Sequence, residues 1–338
     1  MGRYGNLVLP MTFKKFKTSD IILNTRKPGS CTIFDVSHMG VFETRNVDYL
    51  NKLLHLDLKK LKNNQSKLAV LLEGKNANMI VDDLIVSFIN YHKYRLVVNT
   101  NTIDFFREKT CLKEQDKTIL AIQGDYSQKL LEKITNRDLS SLYFMENKPI
   151  YKNELEICRC GYTGEDGFEL YITGKDSKLS NDIIESLVDK SLNNKNIMFG
   201  GLIERDILRQ EAGLWLAGNE FSRSYPIQFD GLNSKYLTDI KYRNNEHFYC
   251  ESRLKYFCSD KPIKNVAIYC NSDIIRGVIT SSNKSFTLNK FIGLGYLNND
   301  QNFDSNSLYY KGNNGKKIPI IVSDKPFVKN KYYRKNMK

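Results

Sequence analysis

Two adjacent aspartates, Asp82 and Asp83, stand inside an otherwise apolar run, NMIVDDLIVSF (78–88). In a strand, successive side chains point to opposite faces. One face then holds Ile80, Asp82, Leu84 and Val86, and the other Met79, Val81, Asp83, Ile85 and Ser87. Whichever face meets the core takes a carboxylate with it. An unpaired buried carboxylate is costly, so that acid is expected to find a partner, shift its pKa or serve a ligand.

Three further stretches carry chemistry-bearing residues. GYTGEDGFELYI (161–172) lacks the G-x-G-x-x-G spacing, and a strand rather than a helix follows it, which excludes a dinucleotide-binding turn. Within it, Tyr162 precedes the turn, and Glu169 can accept hydrogen bonds from the adjacent N–H donors of an amino-heterocycle. A tight turn with incidental acids is the plainer reading of that stretch alone. GLIERDILRQEAG (201–213) sets Arg205 and Arg209 one helical turn apart, where two cations call for an anion, either a ligand carboxylate or a protein Asp or Glu. FDVSHMG (34–40) runs a short strand into a glycine turn. Its His38 is read as orienting rather than as a general base, while Met39 can line a flat apolar slot. At the C-terminus, KPFVKNKYYRKNMK joins an aromatic pair to a basic tail, which is either a frayed end or a segment that folds Tyr332 over a ligand.

The elements that must position these residues alternate irregularly. KLAVLL (67–72), the Asp82–Asp83 run and YRLVVN (94–99) read as neighbouring strands, with a turn at 74–78. DYSQKLLEKI (125–134) reads as a helix capped by Asp125 or Ser127, and residues 177–190 and 201–212 as two more, the last stopping at Gly213. ELEICRC and FELYI flank their glycine turn as a hairpin. After about residue 245 short strands (VAIYC, GVITSS, FIGLGYL, SLYYKG, KIPIIVS) suggest a small β-barrel or sandwich. The class is α+β followed by all-β.

A chain of 338 residues, 41% hydrophobic, is large enough for two or three cores. The 51 Lys and Arg exceed the 38 Asp and Glu, a net charge of +13 that favours acidic partners. These charges are dispersed and accompany no RNA-recognition signature, so no nucleic-acid partner is expected. Seven cysteines without a C-x2-C pair disfavour a metal site and suggest free thiols in a reducing compartment. No apolar run reaches about 18 residues, so no membrane span is expected. The opening MGRYGN has Asn6 where a myristoylation signal wants Ser or Thr, and no targeting leader is visible.

Taken in order, FDVSHMG, MIVDDLIV, VVN, LAIQG, GYTGEDGFE, RDILRQEAGLWLAGNE, TSSNKSFTL with GLGY, and PFVKNKYY resemble the glycine cleavage T-protein family, the folate-dependent aminomethyltransferases. The resemblance spans almost the whole chain. It implies a three-domain cloverleaf around a central opening. Residues 1–245 would form the folate-binding region as two interleaved α+β domains, and residues 246–338 the C-terminal β-barrel and tail. It further implies tetrahydrofolate as co-substrate, no metal, the lipoyl-bearing H-protein as partner, and the mitochondrial matrix as location. Carried over residue by residue, the resemblance makes Asp83 the catalytic acid, Glu169 and Tyr162 pterin-side contacts and Arg205 the folate-binding arginine. Tyr332 becomes the tyrosine that closes on the ligand, and Met39 and Asn99 pocket members. YGNLVLPMTF matches a segment that the family precedes with a helix and a strand, which implies a start further upstream. FDGLNSKYLTDIKYR departs from the pattern and contributes no site residue. A non-catalytic folate-binding relative, such as an iron–sulfur cluster maturation scaffold, is the alternative. Its K-G-C-x-x-G-Q-E phrase is missing here, and a flavin-fused relative would need a longer chain.

Overall fold

The structure, a computed structural model, describes residues 2–335 except 5–6, 14, 55, 74–78, 90–92, 152–153, 221–251, 264–266, 299–306, 313 and 324. The turn expected at 74–78, the division expected near residue 245 and the atypical FDGLNSKYLTDIKYR stretch lie outside the described residues.

In chain order, the first part holds β1 (Gly2–Tyr4), β2 (Leu7–Leu9), α1 (Thr18–Arg26), β3 (Cys31–Asp35), β4 (Gly40–Thr44) and α2 (Val47–Leu54). Then come β5 (Gln65–Glu73), β6 (Met79–Ile89), β7 (Lys93–Val98), α3 (Ile103–Lys109), β8 (Lys113–Glu114), β9 (Lys117–Gln123) and α4 (Ser127–Thr135). A second run comprises β10 (Asn147–Tyr151), β11 (Leu155–Cys158), β12 (Gly167–Thr173), α5 (Lys178–Asn193), β13 (Ile197–Gly200) and α6 (Leu202–Glu211). The last part is all β: β14 (Ser252–Ser259), β15 (Ala267–Tyr269), β16 (Ile275–Ser285), β17 (Lys290–Asn298), β18 (Tyr309–Lys311), β19 (Lys317–Pro319) and β20 (Ile321–Ser323).

Besides a two-stranded ribbon, β1-β2, three sheets organise the described residues, each with its own core. A five-stranded sheet, β5-β6-β7-β4-β8, packs against α2 and α3 through Phe42, Leu50, Leu54, Leu84, Leu96 and Phe106. A six-stranded sheet, β10-β11-β12-β9-β3-β13, packs against α4 and α5 through Ile122, Leu130, Leu131, Phe168, Leu170 and Leu187. The C-terminal sheet, β19-β18-β15-β16-β17-β14-β20, wraps round Phe257, Ile268, Ile279 and Leu297. A fourth cluster stitches the first two sheets and helices α1 and α6 together, using Ile22, Val41, Val97, Ile119, Tyr171, Ile207 and Leu208. The expected helices and strands are present, except that KIPIIVS, read as one strand, is two, β19 and β20, at opposite edges of the C-terminal sheet. One cap differs: α4 starts after Tyr126, with Asp125 accepting instead from the Gly29 N–H at 2.8 Å and Ser127 donating to the Gly124 carbonyl at 2.6 Å.

The strict alternation expected along β6 fails at one residue. Leu71 pairs with Asp82 but Leu72 pairs with Ile80, so Val81 is an extra residue, a β-bulge. The bulge turns Val81 towards the same core as Leu84, whereas simple alternation puts it on the Asp83 face. From Asp82 onward alternation resumes: Asp82, Leu84 and Val86 are buried while Asp83 and Ile85 are half-buried.

Candidate active site

Of the two aspartates, Asp82 enters the core completely and Asp83 faces the seam where the sheets meet. The β6–β7 ladder runs from Ile89↔Lys93 to Ile85↔Val97 and then stops. Beyond it Asn99 takes over the bonding. Its side-chain Nδ2 donates to Asp82 Oδ1 at 2.6 Å, to the Asp83 carbonyl at 2.9 Å and to Asp83 Oδ1 at 3.2 Å. The Asn99 backbone N–H donates to Asp82 Oδ2 at 3.2 Å, and the Thr102 hydroxyl donates to the same oxygen. Asp82 is therefore buried but saturated with donors. The Asp83 carboxyl is met by Asn99 Nδ2, at the longer 3.2 Å, and by the backbone N–H groups of Asp83 and Ala217. Burial, and then the charge of Asp82, push Asp83 up to about 7.

Tyr162 leads the glycine turn between β11 and β12. Its phenol donates to the Trp215 carbonyl, in the segment that also brings Ala217 to Asp83. Burial, with Asp83 and Glu220 nearby, holds that phenol well above its usual range, so it stays a neutral donor. The turn is tight for a reason: Gly164 has φ +79°, and a Cβ there would meet Ala212 Cβ at 2.6 Å and Asn330 Oδ1 at 2.7 Å.

Helix α6 supplies the two arginines, which prove not to be equivalent. Glu204 fixes the start of the helix by accepting from the Gly201 N–H at 2.8 Å and from the hydroxyls of Thr12 and Thr18. Arg209 is fully buried and fully engaged: Asp206 at 2.8 Å, Glu220 at 2.8 Å, the Leu214 carbonyl at 3.1 Å and Ser281 Oγ at 2.9 Å. Arg205 instead lies over the Tyr162 ring at 5.1 Å, with Glu169 Oε1 at 4.0 Å. Its Nη1 is buried without a hydrogen-bond partner among the described residues. Glu169, itself buried, accepts from the Tyr171 hydroxyl at 2.6 Å and lies beside the Cys160 thiol. The structure thus draws together Asp83, Asn99, Tyr162, Arg205 and Glu169.

The remaining expected residues border this group. Met39 is half-buried against the seam cluster, as is Ile85. Next to Met39, burial and then the nearby Arg205 push His38 down to about 4, so its imidazole is neutral at pH 7 and no cationic role is open to it. Tyr332 arrives on the Glu169 side, near Cys160 and the Gly164 backbone. It comes with a strap: Val328 N–H donates to the Glu211 carbonyl at 3.1 Å, Lys331 N–H to the Gly164 carbonyl at 2.7 Å, and Phe144 N–H to the Tyr333 carbonyl at 2.7 Å. Tyr332 stacks on Phe144 (4.2 Å) and Tyr333 on Tyr143 (5.2 Å). Lys331 pairs with Glu165 (3.1 Å), which also pairs with Arg26 (3.0 Å). The tail expected to be either frayed or folded back is folded back.

Sequence reasoning named Asp82 with Asp83 but gave it no role, and it assigned none to Thr102, Cys160, Tyr171, Phe144 or the Trp215–Ala217 segment. A cavity of about 960 Å3 opens elsewhere, on the C-terminal sheet between Cys258–Pro262 and Lys311–Val322, and contains none of the residues above.

Comparison with known proteins relates the chain to a family. Residues 5–233 match the model of the GCVT N-terminal domain, and residues 258–329 that of the glycine cleavage T-protein C-terminal barrel domain. An aminomethyltransferase of Thermoanaerobacter pseudethanolicus is 31% identical, over 90% of this chain and 87% of its own length. A mitochondrial aminomethyltransferase of Solanum tuberosum is 28% identical, over 99% and 87%. The crystal structure of glycine cleavage system aminomethyltransferase T from Bartonella henselae superposes with a TM-score of 0.79 at 25% identity, covering 98% of this chain and 95% of that one. With both family domains matched in order and the three-sheet architecture shared along the chain, this protein belongs to the glycine cleavage T-protein family.

Proposed function

We propose that this protein is a tetrahydrofolate-dependent aminomethyltransferase, which takes the methylene of an aminomethyl group carried on the lipoyl arm of H-protein and releases ammonia. The class of reaction, aminomethyl transfer, follows from the family. The finer assignment is supported most by one observation: a half-buried carboxyl poised near neutral pH, Asp83, shares a seam with a buried guanidinium N–H that has no partner, on Arg205. A buried donor left unpaired costs about 1–3 kcal/mol, so the pair fits a ligand offering an acceptor to Arg205 and a titrating nitrogen to Asp83.

Tetrahydrofolate, when bound, supplies the nucleophilic nitrogens that receive the methylene. Arg205 would anchor it by an acceptor group, and Glu169, held by Tyr171 and Cys160, would take its ring N–H donors. Tyr162 stays neutral and, with Met39, borders the ring, while Tyr332 closes the Glu169 side. Asn99 holds Asp83 Oδ1 in place. Near pH 7 the Asp83 carboxyl can accept a proton from an attacking nitrogen and, as carboxylate, stabilise positive charge developing on the transferred carbon. The division of the chain near residue 245 and a location in the mitochondrial matrix form part of this proposal. The first is supported by the break between the two matched domains, the second by the mitochondrial plant relative.

The test is tetrahydrofolate-dependent ammonia release from aminomethylated H-protein, with wild type and Asp83→Asn side by side. The expected result is wild-type turnover, a fall of about 10²–10⁴ in kcat for Asp83→Asn, and retained folate binding. No turnover by folded wild-type protein would overturn the assignment, and near-normal turnover of the variant would remove Asp83 from its role.

A further inference from the structure

We propose that Asp82 is a positioning residue for the reaction: a buried carboxylate that fixes the Asp83 carboxyl through their shared partner Asn99 and, by its own negative charge, favours the proton-carrying form of Asp83. This rests on the reading of Asp83 as the acid–base group. It goes beyond that reading by assigning the origin of the group's proton affinity to a second residue.

The geometry supporting it is a set of donors distributed unequally between two neighbouring acids. Asp82 receives the Asn99 N–H, Asn99 Nδ2 and the Thr102 hydroxyl, all directed at its two oxygens. Thr102 is held in turn: its oxygen also lies 3.0 Å from the Asn99 carbonyl, so its one hydrogen serves either that carbonyl or Asp82. Neither Asn99 donor can act as an acceptor, so those two bonds favour the anion at Asp82 and offset part of the burial that raises its pKa. Asp83 receives a longer bond, 3.2 Å, from that same Nδ2, together with the backbone N–H groups of Asp83 and Ala217. Of two carboxyls bridged by one amide, the better-solvated anion keeps its charge and the other takes the proton, and the two titrate as a pair.

The groups facing Asp83 come from four elements. Its own strand gives Asp82, and the end of β7 gives Asn99. The segment after α6 gives the Ala217 N–H, and the glycine turn gives the Tyr162 phenol. Arg205, Arg209 and Glu220 lie around Tyr162. Glu220 is occupied by Arg209, at 2.8 Å. Asp82 is thus the acid placed to act directly on Asp83. The Val81 bulge makes the placement possible, because it seats an apolar residue in the core just before Asp82 and leaves Asp83 on the seam.

The experiment titrates the Asp83 side-chain carboxyl by 13C NMR in the full-length protein, with the resonance assigned by its loss in Asp83→Asn. Wild type, Asp82→Asn and Thr102→Val are compared after each is shown to be folded by its thermal transition. The expected midpoint near neutrality in wild type falls by about one pH unit or more in Asp82→Asn. Thr102→Val removes one donor and no charge, so part of the proton moves to Asp82 and the Asp83 midpoint falls by less. It is nearly isosteric and decides the matter alone if Asp82→Asn does not fold. A midpoint unchanged within about 0.3 pH unit in the folded variants would overturn the proposal, since a merely structural Asp82 predicts no shift. In turnover assays the acid limb of the kcat profile should move in parallel. Because the NMR titration needs no turnover, failure of the transferase assignment and failure of this proposal are read separately.

Discussion

Asp83 titrates high because the fold buries it beside another acid, and that has a cost in stability. In the unfolded chain an aspartate titrates near about 3.9, whereas here the midpoint lies near 7. Between those values the folded protein binds a proton that the unfolded chain has released, so stability falls as pH rises through this window and levels off above it. Asp83→Asn cannot ionise. Its thermal midpoint should match wild type near pH 4 and exceed it increasingly up to about pH 7, by at most about 2–4 kcal/mol of stability. A variant less stable than wild type at pH 8 would show that the carboxylate is structurally required.

The two arginines of α6 make the opposite pair of predictions. Arg205→Ala should weaken folate binding about tenfold or more, with little loss of thermal stability, because its Nη1 serves no protein partner. Arg209→Ala strands Glu220 and Asp206 and should cost about 3–5 kcal/mol, or abolish folding. Paired binding and melting measurements distinguish them. Equal behaviour of the two variants would mean that Arg205, too, is structural.

Secondary-structure elements place these side chains by ending or bending where they do. The β6–β7 ladder stops at Ile85↔Val97, the Val81 bulge sets the face of Asp83, and Asn99 fills the gap with its side chain. The C-terminal strap works differently, crossing back from the barrel and clamping onto the end of α6, the glycine turn and the loop before β10. Phe144 is the ring against which Tyr332 stacks, a contact of about 0.5–1.5 kcal/mol. Phe144→Ala should therefore raise the KM for tetrahydrofolate about three- to tenfold, move kcat less than about twofold, and increase tryptic cleavage after Lys329. Unchanged KM with the strap demonstrably loosened would remove Tyr332 from the binding site.

At the level of the whole molecule, three sheets each enclose a separate core, and the site lies along the cluster that joins two of them. The third is attached through α6 and the segment after it. Asp206 accepts from Asn283 at 2.8 Å, Glu211 from Ser285 at 2.7 Å and Glu220 from Thr280 at 2.9 Å. The same helix that carries Arg205 therefore holds the barrel in place. The net charge of +13 belongs to this scale. If H-protein docks by charge, raising salt from about 0.05 to about 0.5 M should increase its KM several-fold and leave kcat nearly unchanged. Salt-independent KM would exclude electrostatic steering.

The sequence by itself determined the elements and the family. Periodicity marks the strands at 67–72, 78–88 and 94–99 and the helices at 177–190 and 201–212, and eight phrases in order carry the resemblance, because local pattern and turn chemistry are written along the chain. Tertiary structure decided the rest. Alternation says that one of two adjacent aspartates is buried, but only the fold shows that it is Asp82, since a bulge is set by pairing with a strand ten residues away. Helical spacing puts Arg205 and Arg209 on one face, yet which is left with an unpaired donor depends on Glu220 and on Ser281 in the barrel. The tail's basic and aromatic residues read equally well as a frayed end until Phe144, Gly164 and Glu165 come within reach. In each case the deciding partner lies on another element, about which a local pattern holds no information.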